Sequence, residues 1–340
     1  MQELPRPQDR VVRLEERVMR FNLCGNNNNG CGLQQDFEIL KARLEELGHE
    51  VFSVQYGRDQ KIEKVDVNIH IEMVIPHAFQ YAQEQWSIPN PEWWIRNLWD
   101  RYRSLMKRFL CKTRDCQRIF EDIGPGRTEL MGFRSQDQYL ERTSERKFLH
   151  LVGRSQTKNT EAIIDAWKKW KISVPLTLVT MDPDFLRRAQ GVYYIDCHTR
   201  VSEEDKRRMM NAHLFHLCPS KYEGWGHYIH EALSVGGVII TTDQPPMSEF
   251  AGIESTLRIP TVRILEHGAA RLHFANPDDV HEAVKKALSL SEDEVLQIRN
   301  GARTAFESEQ ANFFTATERI FGNVKQTNDR PEQSVADARS

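Results

Sequence analysis

The chain has 340 residues, of which 39% are hydrophobic and 28% charged, and its formal net charge is -3 at pH 7. This balance is typical of a soluble globular protein and argues against a disordered, fibrous or nucleic-acid-coating one. At roughly 100–200 residues per domain, the length predicts two domains.

The six cysteines include no C-x-x-C pair, and a chain of this length does not need disulfides to stabilise a core. We interpret them as reduced thiols of a cytoplasmic protein. A zinc site formed by Cys24, Cys31, Cys111 and Cys116 is the alternative, but their spacing is not that of a zinc motif. The polar N-terminus predicts no signal peptide, and no apolar run predicts a membrane span.

The first half opens with a pattern of strand, loop, helix and strand. "VMRFNLCG" predicts a buried strand, "NNNNGCG" a loop and "EVFSVQY" the next strand. The helix between them has apolar residues at Leu33, Phe37, Leu40, Leu44 and Leu47. Such units form parallel sheets. "KVDVNIHIEMV" predicts a third strand, and "RFLCKT", "RDCQRIFEDIG" and "TELMGF" predict strand, helix and strand.

A polar connector, "SQDQYLERTSERK", precedes a second run of alternating strands and helices that starts at "KFLHLVGR". The sequence therefore predicts an α/β protein with two Rossmann-like, doubly wound domains facing a cleft, at residues 1–145 and 146–305. We expect the final helix, at about 305–325, to pack back on the first domain, and 325–340 to be a disordered tail.

The stretch "SKYEGWGHYIHEALSVGG" carries the strongest sign of chemistry. Gly224 and Gly226 flank Trp225 just before a helix that begins near His227. Glycine lets a ligand approach the backbone closely, and the amides of a helix N-terminus bind phosphate. We therefore expect these four residues to line a nucleotide site.

Two carboxylates, Glu223 and Glu231, lie eight positions apart around this turn. Glu231 is placed to accept hydrogen bonds from a ribose diol, and Glu223 from sugar hydroxyls. An ordinary helix start with Glu231 in solvent is the alternative.

A second sign of chemistry is the stretch "VGRSQTKN", in which Gly153 ends an apolar strand. Arg154 and Lys158 in this stretch suit a diphosphate, and two basic residues on a surface loop are the alternative.

In this order, "FLHLVGRSQTKNTEAIIDAW" and "LCPSKYEGWGHYIHEALSVGGVIITTD" resemble the donor-binding domain of retaining GT-B glycosyltransferases, specifically glycosyltransferase family four. The family's Glu-x7-Glu motif is matched by Glu223 and Glu231, and its phosphate-binding set by Gly153, Arg154 and Lys158. The resemblance implies that the two cations hold a nucleotide diphosphate, the second glutamate the ribose, and the first the donor sugar. It further implies a nucleotide-sugar donor, UDP- or GDP-sugar above others, with no tightly bound cofactor and no metal.

The implied reaction moves a hexose to a hydroxyl of a saccharide or glycoconjugate with retention of configuration. The sequence departs from the family pattern at His227, where an aliphatic residue is usual, and at "NNNNGCG", whose Gly30 and Gly32 replace a GGxGR-type donor loop. The family also often places a histidine at the cleft. His70 matches this position best and His77 second, while a histidine satisfied within a strand is the alternative.

Segment 86–118 interleaves tryptophans with basic residues, which are Arg96, Arg101, Arg103, Lys107, Arg108, Lys112, Arg114 and Arg118. Aromatic rings stack on sugars or bases, and cations bind phosphates. A phosphate-bearing saccharide, a lipid-linked sugar at a membrane surface and nucleic acid with a modified base all fit as acceptors. An amphipathic helix over "RNLWDRYRSLMKRFL" that packs on the sheet is the alternative.

Three other functions compete with hexosyl transfer: a DNA-modifying glycosyltransferase of phage type, a GT-B sugar-nucleotide epimerase and a silent nucleotide-sugar-binding module. A dehydrogenase is disfavoured because neither half has G-x-G-x-x-G after its first strand. Zinc binding by His213, His216, His227 and His230 is disfavoured because their predicted strand and helix positions do not converge.

Overall fold

The computed structural model of the chain describes residues 18–27, 32–57, 59–250 and 256–322. Within these ranges the chain forms two six-stranded sheets and one two-stranded hairpin, with helices between the strands. The α/β class and the two doubly wound sheets predicted from the sequence are confirmed. No helix in the described ranges is long and apolar enough to cross a bilayer.

The first sheet forms one lobe of the molecule. Its strands are β1 (Arg20–Gly25), β2 (Glu50–Gln55), β3 (Val65–Glu72), β4 (Ala82–Pro89), β5 (Met106–Cys111) and β6 (Thr128–Leu130). They lie in the order β2-β1-β3-β4-β5-β6, and every pair is parallel. The helices of this first lobe are α1 (Gly32–Glu46), α2 (Arg96–Trp99) and α3 (Arg114–Ile123).

The second sheet forms the other lobe. Its strands are β7 (Glu145–Gly153), β8 (Leu176–Thr180), β9 (Ile195–His198), β10 (His213–Cys218), β11 (Val238–Thr242) and β12 (Thr256–Ile259). They lie in the order β12-β11-β10-β7-β8-β9, again all parallel. A hairpin of β13 (Arg263–His267) and β14 (Ala270–Phe274) follows. The helices are α4 (Thr160–Trp170), α5 (Pro183–Ala189), α6 (Glu203–Ala212), α7 (His227–Ser234), α8 (Pro277–Ser289) and α9 (Glu292–Phe321).

The 30-residue helix α9 connects the two lobes. Its last turns lie on the first lobe, where Arg43 Nε donates to Thr317 Oγ1 at 2.9 Å and His49 Nε2 donates to the Phe321 carbonyl at 2.8 Å. Apolar residues of both lobes and of α9 belong to one continuous buried cluster. The domain boundaries drawn from the sequence stay a prediction, and the tail from residue 323 lies outside the described residues.

Strand β4 was not predicted, because its sequence does not look like that of a central strand. Gln85 is 8% exposed, and its side-chain oxygen accepts hydrogen bonds from Asn68 Nδ2 at 3.0 Å and from His70 Nε2 at 3.0 Å. Buried polar groups with satisfied hydrogen bonds cost little stability, but they break the apolar pattern from which strands are read.

The alternative of one amphipathic helix over residues 96–110 is wrong. The helix α2 ends at Trp99, a 3₁₀ turn covers Asp100–Tyr102, and β5 begins at Met106. β5 pairs with β4 on one side and β6 on the other, so its position inside a sheet outweighs the helical spacing of its apolar residues.

Candidate active site

Residues that follow the carboxyl ends of strands in the two lobes lie against each other along a seam, hereafter the crevice. Asn90 follows β4, and its Oδ1 is so near Gly224, after β10, that a Cβ atom on that glycine would lie 2.2 Å away. Tyr222, also after β10, donates its hydroxyl to Asp115 Oδ2 on α3 at 2.7 Å. Ligand sites of open α/β sheets lie at these strand ends.

The turn before α7 is held by hydrogen bonds around Ser220. Ser220 Oγ donates to Glu223 Oε1 at 2.5 Å and lies 2.5 Å from the hydroxyl of Tyr228. Gly226 has a φ of +80° at the N-cap of α7, a conformation that favours glycine. The first-turn amides of α7 lack intrahelical acceptors, as at any helix N-terminus, and can bind an anion.

Lys158 lies against the first turn of α7. Its ammonium is 3.4 Å from the centroid of the Tyr228 ring, and it donates to the Leu151 carbonyl at 3.2 Å. Gly153, with φ of +61°, ends β7, and Arg154 beside it is exposed. Lys158 and the GWG turn, distant in sequence, therefore meet at one place.

Glu231 is only 3% exposed and faces the first lobe. Its carboxylate accepts from Gln35 Nε2 of α1 at 3.4 Å and lies 3.5 Å from the ammonium of Lys206 on α6. Burial opposes the charge of Lys206, but the carboxylates of Glu231 and Glu203 more than offset it, and the pKa of Lys206 is raised. The alternative of a glutamate exposed to solvent is therefore wrong.

The side chains of Trp225 and His227 bridge the lobes. Trp225 stacks on His230, with ring centroids 3.8 Å apart, and donates to Ser135 Oγ at 3.1 Å. His227 Nε2 lies 2.9 Å from Asp36 Oδ1, and its Nδ1 lies 2.8 Å from Ser135 Oγ. Because a carboxylate only accepts, we assign a proton to Nε2.

Asp36 also pairs with Lys112, which follows β5. Lys112 Nζ donates to Asp36 Oδ2 at 2.7 Å, and the side chains are only 1% and 6% exposed. Burial opposes the charge of Asp36, but Lys112 and His227 outweigh it, so the pKa of Asp36 is lowered. A buried chain of charged and polar groups thus runs from the first sheet to the start of α7.

Three polar residues at the strand ends of the first lobe complete the crevice: Glu72, Asn90 and Glu92, hereafter the strand-end triad. Asn90 Nδ2 donates to Glu72 Oε2 at 3.0 Å, and Glu72 has a φ of +68°, unusual for a non-glycine residue. Burial above all, with the nearby carboxyls of Glu72 and Glu223, raises the pKa of Glu92 to about 8. Sequence patterns did not single out the triad. The signal that could have found it is its position, because Glu72 ends β3 and Asn90 and Glu92 follow β4.

The hairpin holds Glu92 in place. The Ala269 amide of its tip donates to the Pro91 carbonyl at 2.8 Å, and His267 meets Trp93 edge to face with centroids 6.4 Å apart. A Cβ on Gly268 would lie 2.7 Å from the Glu92 carbonyl oxygen. The hairpin of the second lobe therefore packs on the first lobe beside the triad.

Residues 146–293 match the family model of glycosyl transferases group 1. This stretch, less than half of the chain, is similar to that family. It contains both motifs, Gly153 to Lys158 and Glu223 to Glu231. No curated protein sequence matches the chain.

Solved structures show the same fold over nearly the whole chain. A glycosyltransferase from Rickettsia africae ESF-5 has a TM-score of 0.69 at 12% identity, covering 89% of this chain and 98% of its own. A sucrose-phosphate synthase from Thermosynechococcus elongatus has a TM-score of 0.66 at 12% identity, and the match covers 89% of this chain and 97% of the synthase chain. HepE from Anabaena, solved in complex with UDP-glucose, has a TM-score of 0.64 at 11% identity, and the match covers 89% of this chain and 99% of the HepE chain. The fold is GT-B, and with the family match it makes the chain a glycosyltransferase.

In this glycosyltransferase, His70 does not line the crevice. It is fully buried in β3, its Nε2 donates to Gln85 Oε1 at 3.0 Å, and its Nδ1 accepts from the Ile75 amide at 3.1 Å. Burial lowers its pKa to about 4, so it is neutral near pH 7. The interpretation of a histidine satisfied within a strand is the one that fits, whereas His77 is exposed on a 3₁₀ turn.

Gly32 opens α1 close to the turn at α7, since a Cβ there would lie 3.5 Å from His227 Cδ2. Gly30 lies outside the described residues. Among the residues that are described, no group of three or more histidines, cysteines and carboxylates could hold a metal ion.

The basic residues of segment 86–118 do not form one face of the glycosyltransferase. Arg108 and Lys107 lie at the start of β5, whereas Lys112 follows its end. The six residues of β5 span about 20 Å at roughly 3.3 Å per residue, so the two groups lie at opposite edges of the sheet. Lys112 lies on the side of the crevice, where it is buried against Asp36.

Proposed function

We propose that the chain is a retaining glycosyltransferase that moves a hexose from a nucleotide-diphosphate sugar to a hydroxyl group of a saccharide or glycoconjugate. The observation that carries this proposal is the meeting of Lys158 with the first turn of α7, the ammonium lying 3.4 Å over the Tyr228 ring. A cation and a helix N-terminus at one strand end form a binding place for a diphosphate.

In this proposal the donor lies along the edge of the second sheet. Arg154, Lys158 and the amides after Gly226 hold the pyrophosphate, Glu231 accepts from the ribose hydroxyls, and Glu223 holds the donor sugar. HepE, a structure of the same fold, was solved with UDP-glucose, which supports a UDP-sugar as the first donor to test. The cations and the helix N-terminus supply the positive charge that a metal supplies elsewhere, so we propose that transfer is metal-independent.

The reaction follows from this charge distribution. As the bond between the anomeric carbon and the phosphate oxygen breaks, negative charge grows on the leaving diphosphate, where Arg154, Lys158 and α7 stabilise it more than in the ground state. The acceptor hydroxyl forms the new bond on the same face and gives its proton to a leaving phosphate oxygen. Configuration is therefore retained without a second carboxylate.

A thermal-shift panel of UDP-, GDP-, ADP- and dTDP-sugars tests donor binding, because a ligand of the native state raises the unfolding midpoint. We expect one nucleotide class to raise the midpoint of the wild type, and K158A and E231A to lose the shift. K168A, which removes an exposed lysine of the same lobe, is the matched control. If no nucleotide sugar raises the midpoint of the wild type, the proposed function is wrong.

The anomeric configuration of the product, read by NMR, tests retention. Loss of Lys158 should lower turnover by about 10²–10³-fold, as for other groups that stabilise transition-state charge. An epimerase would instead return an altered sugar nucleotide with no nucleotide released.

A further inference from the structure

The strand-end triad faces the glutamate that we propose for the donor sugar. Asn90 Oδ1 abuts Gly224, the neighbour of Glu223, and Glu72 accepts from Asn90 Nδ2 at 3.0 Å. Glu92 is near enough to Glu223 for the two carboxyls to influence each other's charge. A group held by the triad is therefore beside the position that the anomeric carbon of the donor takes.

The triad presents buried polar atoms that no protein group satisfies. Asn90 is 8% exposed, and its Oδ1 has no hydrogen-bond partner. Glu92 Oε2 is also buried without one. Unsatisfied buried oxygens are costly, and they are rare in folded proteins unless a water or ligand meets them. Both atoms are complementary to hydroxyl donors.

The charge of this wall disfavours an anion. Glu92 lies near the carboxyls of Glu72 and Glu223, and the ammonium of Lys112, which acts on both Glu72 and Glu92, is buried 2.7 Å from Asp36 Oδ2. With a pKa of about 8, Glu92 itself adds little negative charge at pH 7, but it offers no positive charge to an anion. On α3, Arg118 pairs with Asp115. Other basic residues of the same segment, such as Lys107 and Arg108, lie at the far edge of the sheet.

We propose that the strand-end triad binds the hydroxyl groups of the acceptor, and that this acceptor is an uncharged saccharide. The inference rests on the proposed function for the reaction itself. It adds the substrate class, since the side-chain oxygens of Glu72, Asn90 and Glu92 accept from sugar hydroxyls and offer no positive charge to a phosphate. It disfavours two of the three acceptors that the sequence left open, the phosphate-bearing saccharide and nucleic acid, and narrows the saccharide of the proposed function to an uncharged one.

Saturation-transfer NMR with the wild type tests the substrate class directly, in the presence of the donor nucleotide found by thermal shift. The probes are methyl glycosides of glucose, galactose, mannose and N-acetylglucosamine, each beside its 6-phosphate. We expect at least one uncharged glycoside to bind and, in a separate assay with the nucleotide sugar as donor, to stimulate nucleotide release with a kcat/KM about tenfold or more above that of its phosphate. Preference for a phosphate, or binding by none of the uncharged glycosides, overturns the inference.

Variants test the residues. E72Q should raise the acceptor KM about tenfold, the effect of weakening hydrogen bonds to a charged group, while the donor-induced shift of the unfolding midpoint stays within error. E50Q, an exposed carboxylate at the start of β2, is the matched control. N90S provides a second variant should E72Q fail to fold.

An unchanged acceptor KM in folded E72Q and N90S would overturn the assignment of the triad. Failure of the donor shift in the wild type would instead overturn the proposed function, so the two failures are distinguishable.

Discussion

His227 and Asp36 connect the two lobes through a hydrogen bond of 2.9 Å between imidazole Nε2 and carboxylate Oδ1. Asp36 is also the partner of Lys112 at 2.7 Å, so one buried carboxylate serves both a cation of the first sheet and the first residue of α7. This junction sets the spacing between the lobes at the point where a donor and an acceptor must meet.

Removing one member of the buried pair of Asp36 and Lys112 should be strongly destabilising. D36N or K112M leaves a buried group without its partner, and we expect the free energy of unfolding to fall by about 3–5 kcal/mol. The double variant D36L/K112M should recover most of this loss. Urea denaturation measures both quantities. E45Q, which breaks the exposed Lys41–Glu45 pair on α1, should cost less than about 1 kcal/mol, and an equal loss in D36N and E45Q would contradict the prediction.

Lys206 should control the affinity for the donor through Glu231. Its ammonium lies 3.5 Å from that carboxylate, and K206M removes the charge that orients it. We expect the donor KM to rise about tenfold while kcat changes less, because the ribose does not react. K206R should restore much of the affinity. K285M, at an exposed lysine of α8, serves as the control. A fall in kcat at unchanged KM would argue against this role.

The stability of the fold should decrease in mild acid because several buried histidines are neutral. Burial lowers the pKa of His70 to about 4, and those of His150 and His216 to about 3. Below pH 6.5 the unfolded chain binds protons at these imidazoles while the folded chain does not, so the free energy of unfolding falls between pH 6.5 and 4. Urea midpoints at pH 7 and 5 measure the slope. H70Q should give a shallower slope, whatever its stability at pH 7.

Gly224 should tolerate no side chain. A Cβ there would lie 2.2 Å from Asn90 Oδ1 and 2.5 Å from its Cγ, so Asn90 or the turn must shift. We expect G224A to lower the free energy of unfolding by about 1–3 kcal/mol. G32A is the matched control for stability, because its Cβ would be at an ordinary 3.5 Å from His227 Cδ2. Thermal unfolding of both variants makes the comparison, and equal midpoints would show that the two lobes are not packed this closely.

Much of the fold could be predicted from local patterns. The spacing of the apolar residues from Leu33 to Leu44 predicted the helix α1, and the apolar runs around Phe148 and Leu217 predicted the strands β7 and β10. Two of the missed strands, β4 and β13, have a common cause. β4 carries buried polar residues that are satisfied by neighbouring strands, and β13 is exposed along its whole length, so neither shows the alternation that marks a strand.

The candidate site divides in the same way. Arg154, Lys158, Glu223 and Glu231 stand in short motifs whose residue types and spacing suffice to mark them. Glu72, Asn90 and Lys112 stand in no motif, because each follows a different strand and acquires its neighbours only when the parallel sheet brings the strand ends to one edge.

The amino-acid sequence by itself determined the alternation of strands and helices, the two lobes and the residues of the donor motifs, because these depend on neighbours a few positions away. Only the tertiary structure decided that His70 is buried, that Trp225 and His227 bridge the lobes, and that the basic segment is divided between two edges of a sheet. Those facts depend on contacts between residues far apart in the chain, such as Asp36 with His227, and on which end of a strand a side chain occupies.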